Sequence, residues 1–311
     1  MIEAKGLRKE FGDFVAVKHV DMNVAEGEVF TLLGPNGAGK TTTVRMLGSI
    51  LKPTRGHATV AGFDTISQAI EVRQRIGVLT EFPGLYTRMS AMEYLNYFGE
   101  LQGLTKSLCH ERAEKLLKMF GLWGDKERIT GEYSKGMKQK LTLVRAMLHD
   151  PQVLFLDEPT SNMDPHSAKL VRDAITKLCQ EKRTIVVCTH NLMEAETLAD
   201  RIAIIHQGKI VARGTVSELK NQLLGMPLME LRLACNWNGD ISCLDGLVEI
   251  VANGDNWIHY TTSDPEKTNP RVLHHLAQNQ ISVVTLSEIQ RSLEEVYLKI
   301  VDEVQSTHLS Y

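Results

Sequence analysis

Gly34-Pro35-Asn36-Gly37-Ala38-Gly39-Lys40-Thr41 places two glycines, a lysine and a hydroxyl in the order G-x-x-x-x-G-K-[S/T], with Thr42 carrying the chain onward. Glycines there let successive backbone N–H groups turn inward and ring an anion. A helix starting just after them adds the partial positive charge of its N-terminus. Lys40 offers a point charge to the β- and γ-phosphates of a nucleoside triphosphate, and the Thr41 hydroxyl offers an oxygen to Mg²⁺. Further along, the apolar run Val153–Leu156 ends in Asp157-Glu158. Acids at a strand end in an α/β sheet face the ligand crevice. Asp157 is read as holding Mg²⁺ through water, and Glu158 as a general base that polarises an attacking water. Alone, the acid pair is an ordinary charged strand end before Pro159. Beside a phosphate loop it completes a phosphoryl-transfer set.

Such residues need a rigid frame. Val29–Leu33, Val153–Leu156 and Thr184–Cys188 read as buried strands, being continuous and β-rich rather than alternating. Val44–Leu51 and Ala168–Leu178 read as helices, and Gln207-Gly208 joins Ile202–Ile205 to Ile210–Ala212 as a hairpin. Strands alternating with helices predict an α/β layered core, with a mostly helical insertion at about residues 85–150. Charge then changes sign. Residues 225–311 hold 12 Asp and Glu against 5 Lys and Arg, whereas residues 1–224 hold 26 against 30. The change coincides with Gly225-Met226-Pro227, which predicts a domain boundary there. Beyond it, strands at Met229–Leu233, Trp257–Thr261 and Ile281–Leu286 and helices at Pro270–Gln278 and Leu293–Val304 predict a small acidic α+β domain. Ser292 and Glu295 form a capping box for the last helix.

The bulk composition narrows the class. A chain of 311 residues, 43% hydrophobic and 23% charged, is neither disordered nor fibrous. Its net charge of −3 argues against nucleic acid as a partner. Five scattered cysteines without a C-x-x-C pair argue for reduced thiols. An N-terminus without an apolar run predicts no secretory signal, and no stretch is long and apolar enough to span a membrane.

Further motifs carry a family resemblance. Ser134-Lys135-Gly136-Met137-Lys138 precedes an amphipathic helix with Leu141, Val144, Arg145 and Leu148, shortly before the acid pair. This resembles the signature motif of ATP-binding cassette (ABC) ATPases. Ser161-Asn162-Met163-Asp164 resembles their D-loop, Thr189-His190 their switch histidine, and Phe11-Gly12 the aromatic that stacks on adenine. Singly, Phe11, His190 and Ser134 would be core packing, an ordinary histidine and a helix cap. Their joint order over residues 1–220 carries the resemblance. It implies a phosphate-loop ATPase fold with a mixed sheet and a helical subdomain, and ATP with Mg²⁺ as cofactors. It also implies a head-to-tail dimer, homo- or heteromeric, in which Ser134 and Gly136 of one subunit face the nucleotide of the other.

Two departures stand out. The family usually has Gln where this chain has Glu81, read here as a substitute Mg²⁺ and nucleotide ligand. The usual double glycine of the signature is Lys135-Gly136. The segment with Phe82, Pro83, Tyr86, Met89 and Met92 is either a docking surface for a membrane subunit's helix or ordinary helical packing. Glu81-Phe-Pro-Gly-Leu-Tyr, Tyr-Ser-Lys-Gly-Met and Ser292-Leu-Glu-Glu-Val-Tyr297 are similar to the ATPase subunits of ABC-2 type exporters, such as drug-resistance and sodium-extrusion pumps. That branch implies a separate transmembrane permease and a peripheral place at the cytoplasmic face of the membrane. The alternatives are a non-transport ABC ATPase of DNA repair or translation, and a regulatory nucleotide-binding module. The first lacks the expected coiled coil, zinc cysteines or second cassette, and an intact Glu158 argues against the second.

Overall fold

Two strand chemistries build the larger sheet of this computed structural model. The residues described are 1–80, 84–161, 163–234, 244, 246–289 and 291–308, with side chains to residue 300. The chain forms two compact units, Met1–Val216 and Ser217–Tyr311.

In the first unit the strands are Ile2–Phe11 (β1), Phe14–Val24 (β2), Val29–Leu33 (β3), Arg55–Val60 (β4), Phe63–Asp64 (β5), Ile76–Leu79 (β6), Val153–Asp157 (β7), Thr184–Thr189 (β8), Arg201–His206 (β9) and Lys209–Gly214 (β10). Among the described residues they make one sheet, ordered β5-β4-β1-β2-β10-β9-β3-β8-β7-β6. The run β9-β3-β8-β7-β6 is parallel. All residues of β3, β7 and β8 are buried, so these strands read as unbroken apolar runs. β1 pairs antiparallel with β2 and β4, and its first residues alternate between buried and exposed.

The helices of this unit are Lys40–Leu47 (α1), Ala69–Arg75 (α2), Ala91–Leu101 (α3), Lys106–Met119 (α4), Lys135–Met147 (α5), Pro165–Gln180 (α6) and Leu192–Leu198 (α7). Alternate residues of β7 serve different cores, as a period of two requires. Leu154 and Leu156 pack with Tyr94 of α3, Leu117 of α4, Val144 of α5 and Ile175 of α6. Val153 and Phe155 pack with Leu47 of α1 and with Leu7 and Val20. Side-chain caps fix the helix starts: the Ser90–Glu93 capping box for α3, Thr105 for α4, Ser134 for α5, Asp164 for α6 and Asn191 for α7.

Several expectations shift. The helix placed at Val44–Leu51 begins at Lys40, directly from the phosphate loop, and stops before Gly48. The Gln207-Gly208 hairpin is present, and both residues have positive φ (45° and 77°), the pattern of a type I′ turn.

The second unit holds Val216–Leu224 (α8, whose first residue closes the first unit), Leu228–Leu233 (β11), Glu249–Asn253 (β12), Trp257–Thr261 (β13), Pro265–Gln278 (α9), Val283–Glu288 (β14) and Leu293–His308 (α10). Its antiparallel sheet runs β12-β13-β11-β14. Met229, Leu231, Ile258 and Tyr260 alternate onto one face and pack with Val272 and Leu276 of α9. α9 starts at Pro265, not Pro270, because Asp264 caps it by accepting from the Lys267 N–H at 3.2 Å. The Ser292–Glu295 box opens α10 as expected. β12 went unforeseen because its alternation is weak. Among the described residues, no helix is long and apolar enough to cross a membrane.

Candidate functional site

β3 delivers the chain into the Gly34–Gly39 loop, and α1 begins at Lys40. Two glycines have no substitute. A Cβ on Gly34 would overlap the Ile205 carbonyl oxygen, while Gly39 has φ 105° and a Cβ there would lie 2.8 Å from the Ala16 carbonyl. Gly34→Ala is therefore expected to cost about 1–3 kcal/mol in chemical denaturation. Gly136→Ala, where a Cβ meets open space, is expected to leave stability within about 1 kcal/mol of the parent. Gly34 N donates to the Thr189 carbonyl at 3.2 Å and Gly208 N to the Ala38 carbonyl at 2.9 Å. The loop is thus anchored to β8 and to the β9–β10 turn.

The sequence-predicted chemistry converges here. The Thr41 hydroxyl donates to Asp157 Oδ2 at 2.7 Å. The buried Lys40 ammonium donates to the Gly34 and Pro35 carbonyls at 2.6 and 3.1 Å and stands 3.8 Å from Glu158 Oε1. The same carboxylate oxygen lies 2.8 Å from His190 Nδ1, and the Thr189 hydroxyl donates to Glu158 Oε2 at 3.4 Å. Glu158 is 8% exposed and has φ 52°, a left-handed conformation that costs a non-glycine residue about 1–3 kcal/mol. Its N–H donates to the Cys188 carbonyl at 2.8 Å and its carbonyl accepts from Gln139 Nε2 at 3.3 Å, which ties it to β8 and α5.

Glu158 stands between two clefts. One, about 380 Å³, is lined by Phe14, Ala16, the loop residues Pro35, Asn36, Gly37, Ala38, Gly39, Lys40, Thr41 and Thr42, and Asp157. The other is polar, with Asn36, Thr160, Ser161, His190, Asn191 and Glu194. The lining of the first combines Lys40, Thr41 and Asp157 with the apolar side chains of Phe14 and Ala16, which suits the charged phosphates and the flat base of a nucleoside triphosphate. The Thr41 hydroxyl and Asp157 carboxylate are paired hard oxygen donors of the kind Mg²⁺ takes, so these residues fit that ion.

Other predicted residues lie elsewhere. Phe11 is not on the cleft wall: it sits across the β1–β2 turn, in register with Phe14, and the Lys9 ammonium lies 5.1 Å from its ring centre. Phe14 lines the cleft instead, and both rings are exposed. Ser134 caps α5, accepting from Met137 N at 3.2 Å, and Gly136 follows in its first turn. Asp164 caps α6, accepting from Ser167 N at 2.9 Å, and this N–H holds its carboxyl below the usual carboxylate range. None of these three lines either cleft. Glu81, Phe82, Pro83 and Asn162 lie outside the described residues. Met92 is buried and Met89 packs against the same helical core, so those two are packing residues, while Tyr86 is half-exposed.

Sequence reasoning missed Phe14, Gln139 and Glu194, and named Thr189 only as the neighbour of the switch histidine. Only Phe14, three residues from Phe11 in the same turn, carried a local signal.

Comparison with known proteins follows the same division. A family profile described as "ABC transporter" matches residues 17–161, and one described as "ATP-binding protein DrrA1-3-like, C-terminal domain" matches residues 214–301. The chain is 44% identical over 205 residues to ABC transporter ATP-binding protein NatA of Bacillus subtilis, covering 66% of this chain and 83% of that protein. It is 37% identical over 304 residues to the daunorubicin/doxorubicin resistance ATP-binding protein DrrA of Streptomyces peucetius, covering 96% and 92%. A solved ATP-binding subunit of an ABC transporter superposes with a TM-score of 0.68 at 28% identity, covering 72% of this chain and 94% of the other.

Proposed function

The chain belongs to the ABC transporter family as an ATP-binding, ATP-hydrolysing subunit, and from that premise we propose that two copies close on two ATP molecules to drive export through a separate membrane permease. The phosphates lie in the Gly34–Thr42 loop, with the Lys40 ammonium turned from its loop carbonyls toward the β- and γ-phosphates. The base lies on the apolar wall at Phe14, beside Phe11. Thr41 and Asp157 would hold Mg²⁺, which when bound shields phosphate charge as it builds in the transition state. Glu158 takes the proton of an attacking water, and His190, on the same carboxylate oxygen, steadies the γ-phosphate.

One observation carries the dimer. Lys40, Thr41, Asp157, Glu158 and His190 converge on one pair of clefts, yet exposed Ser134 and half-buried Gly136 line neither. A helix start whose capping hydroxyl is exposed fits a phosphate offered by a second copy. Asp164, at the exposed start of α6, joins the same surface.

The permease reading is supported by a groove between β6 and the helical layer. It is lined by Ile50, Arg73, Val78, Phe98, Gln102, Arg145 and His149. Half-exposed Tyr86 and Tyr97 stand 5.8 Å apart beside Phe98. Such a surface suits a permease helix with apolar and acidic side chains, which supports the reading of a chain held peripherally at the cytoplasmic face of the membrane. The daunorubicin/doxorubicin resistance relative points to export.

The test is the solution mass of Glu158→Gln with and without ATP and Mg²⁺. A shift from one copy to two on adding nucleotide is expected. A constant single copy that still binds ATP would sink the homodimer.

A further inference from the structure

Glu194 is 2% exposed and belongs to no residue set assigned above to nucleotide or water. A carboxylate buried this deeply is retained only where neighbours hydrogen-bond it. Thr160, two residues beyond Glu158, donates its hydroxyl to Glu194 Oε1 at 2.7 Å. The Thr189 hydroxyl also reaches Glu194. That hydroxyl accepts from Asn191 N at 3.0 Å, so its single proton is available to either the Glu158 or the Glu194 carboxylate. Asn191 in turn caps α7 by accepting from the Glu194 N–H at 3.1 Å. Burial pushes the Glu194 carboxyl up, and the two threonine hydroxyls oppose that shift.

The topology explains why such a clamp matters. Glu158 leaves the end of β7 and His190 the end of β8, on separate connections. Their 2.8 Å contact depends on both connections holding station, and His190 is largely exposed. Glu194, in the first turn of α7, adds a buried link between them, holding Thr160 after β7 and Thr189 at the end of β8.

We propose that Glu194 is a positioning residue for hydrolysis, which holds Thr160 and Thr189 so that Glu158 and His190 address the same phosphate. This rests on the reading of Glu158 as the base. A base and a phosphate ligand displaced by about 1 Å lose up to about a hundredfold in rate, with little change in ground-state binding.

Steady-state ATP hydrolysis by the full chain tests it, with Glu158→Gln as reference. Glu194→Ala is expected to lower kcat about tenfold to a hundredfold with KM for ATP within about twofold of the parent. Glu194→Gln, whose amide oxygen still accepts from Thr160, is expected to recover kcat to within about threefold of the parent. Thr160→Val, which leaves the Thr189 contact in place, is expected to lower kcat by no more than Glu194→Ala does, and the double variant to be no slower than Glu194→Ala, since the Thr160–Glu194 contact is already lost there. Parental kcat in Glu194→Ala beside an inactive Glu158→Gln would overturn the inference and leave the function standing. Parental kcat in Glu158→Gln would overturn both. A Glu194→Gln as slow as Glu194→Ala, or a rise in KM matching the fall in kcat, would also overturn it. If Glu194→Ala loses its cooperative thermal transition, Thr160→Val decides: a fall in kcat with KM within about twofold of the parent supports the clamp and parental kcat refutes it.

Discussion

Glu158→Gln is expected to release phosphate about 10²–10⁴-fold more slowly than the parent while binding ATP with nearly unchanged affinity. Glutamine has the same shape, with one oxygen that can accept from the Thr189 hydroxyl and an NH2 that can donate to a neutral His190 Nδ1, so both positions now contacted at 3.4 and 2.8 Å keep a partner. It lacks only the basic oxygen that takes a proton from water. The loss therefore falls on the chemical step and not on binding. Single-turnover phosphate release, beside a direct binding titration, separates the two. Unchanged release would show that Glu158 is not the base and would favour a regulatory nucleotide-binding module. The left-handed backbone at Glu158 is the same in both variants, so its strain does not confuse the comparison.

Lys40→Ala is expected to weaken ATP binding by about 10–100-fold, on the scale of one or two charge-assisted hydrogen bonds, and to abolish measurable turnover. The ammonium is 6% exposed and stands 3.8 Å from Glu158, with the Gly34 and Pro35 carbonyls on it. Among the described residues, no other Lys or Arg lines the two clefts. The loop N–H groups and Mg²⁺ would then face the γ-phosphate without a side-chain ammonium to offset the two acids, Asp157 and Glu158. ADP, which lacks that phosphate, is expected to lose less affinity than ATP. Calorimetric titration with both nucleotides checks this, and equal losses would place Lys40 on the α- and β-phosphates alone. Lys40→Arg is not expected to rescue, since a planar guanidinium does not fit a pocket closed around a compact ammonium.

The parts legible in the sequence are those whose geometry is local. Eight consecutive residues define the phosphate loop, because glycine φ freedom and a following helix suffice to make it. Asp157-Glu158 is legible because the apolar run before it must be a buried strand, whose end faces the crevice. The first turns of α3, α5, α6 and α10 are legible because a cap and its N–H partner are three residues apart.

Other features needed the tertiary structure. No local rule places β10 beside β2, or brings Thr160 to Glu194 across 34 positions of sequence. The choice of Phe14 over Phe11 for the cleft wall turns on which side of a two-residue turn each ring leaves. Both are exposed aromatics of the same hairpin, and periodicity cannot tell them apart. Gly34 is likewise a glycine in any phosphate loop, but the packing that forbids a side chain there comes from Ile205, on a strand formed far later in the chain. What the chain encodes locally is the chemistry: which groups hold phosphate, metal and proton. Which of them meet, at 2.7 Å for Thr41 and Asp157 and 2.8 Å for Glu158 and His190, is decided by the stacking of parallel strands. Distances between residues far apart in sequence depend on how whole elements pack, and no single stretch of sequence specifies that.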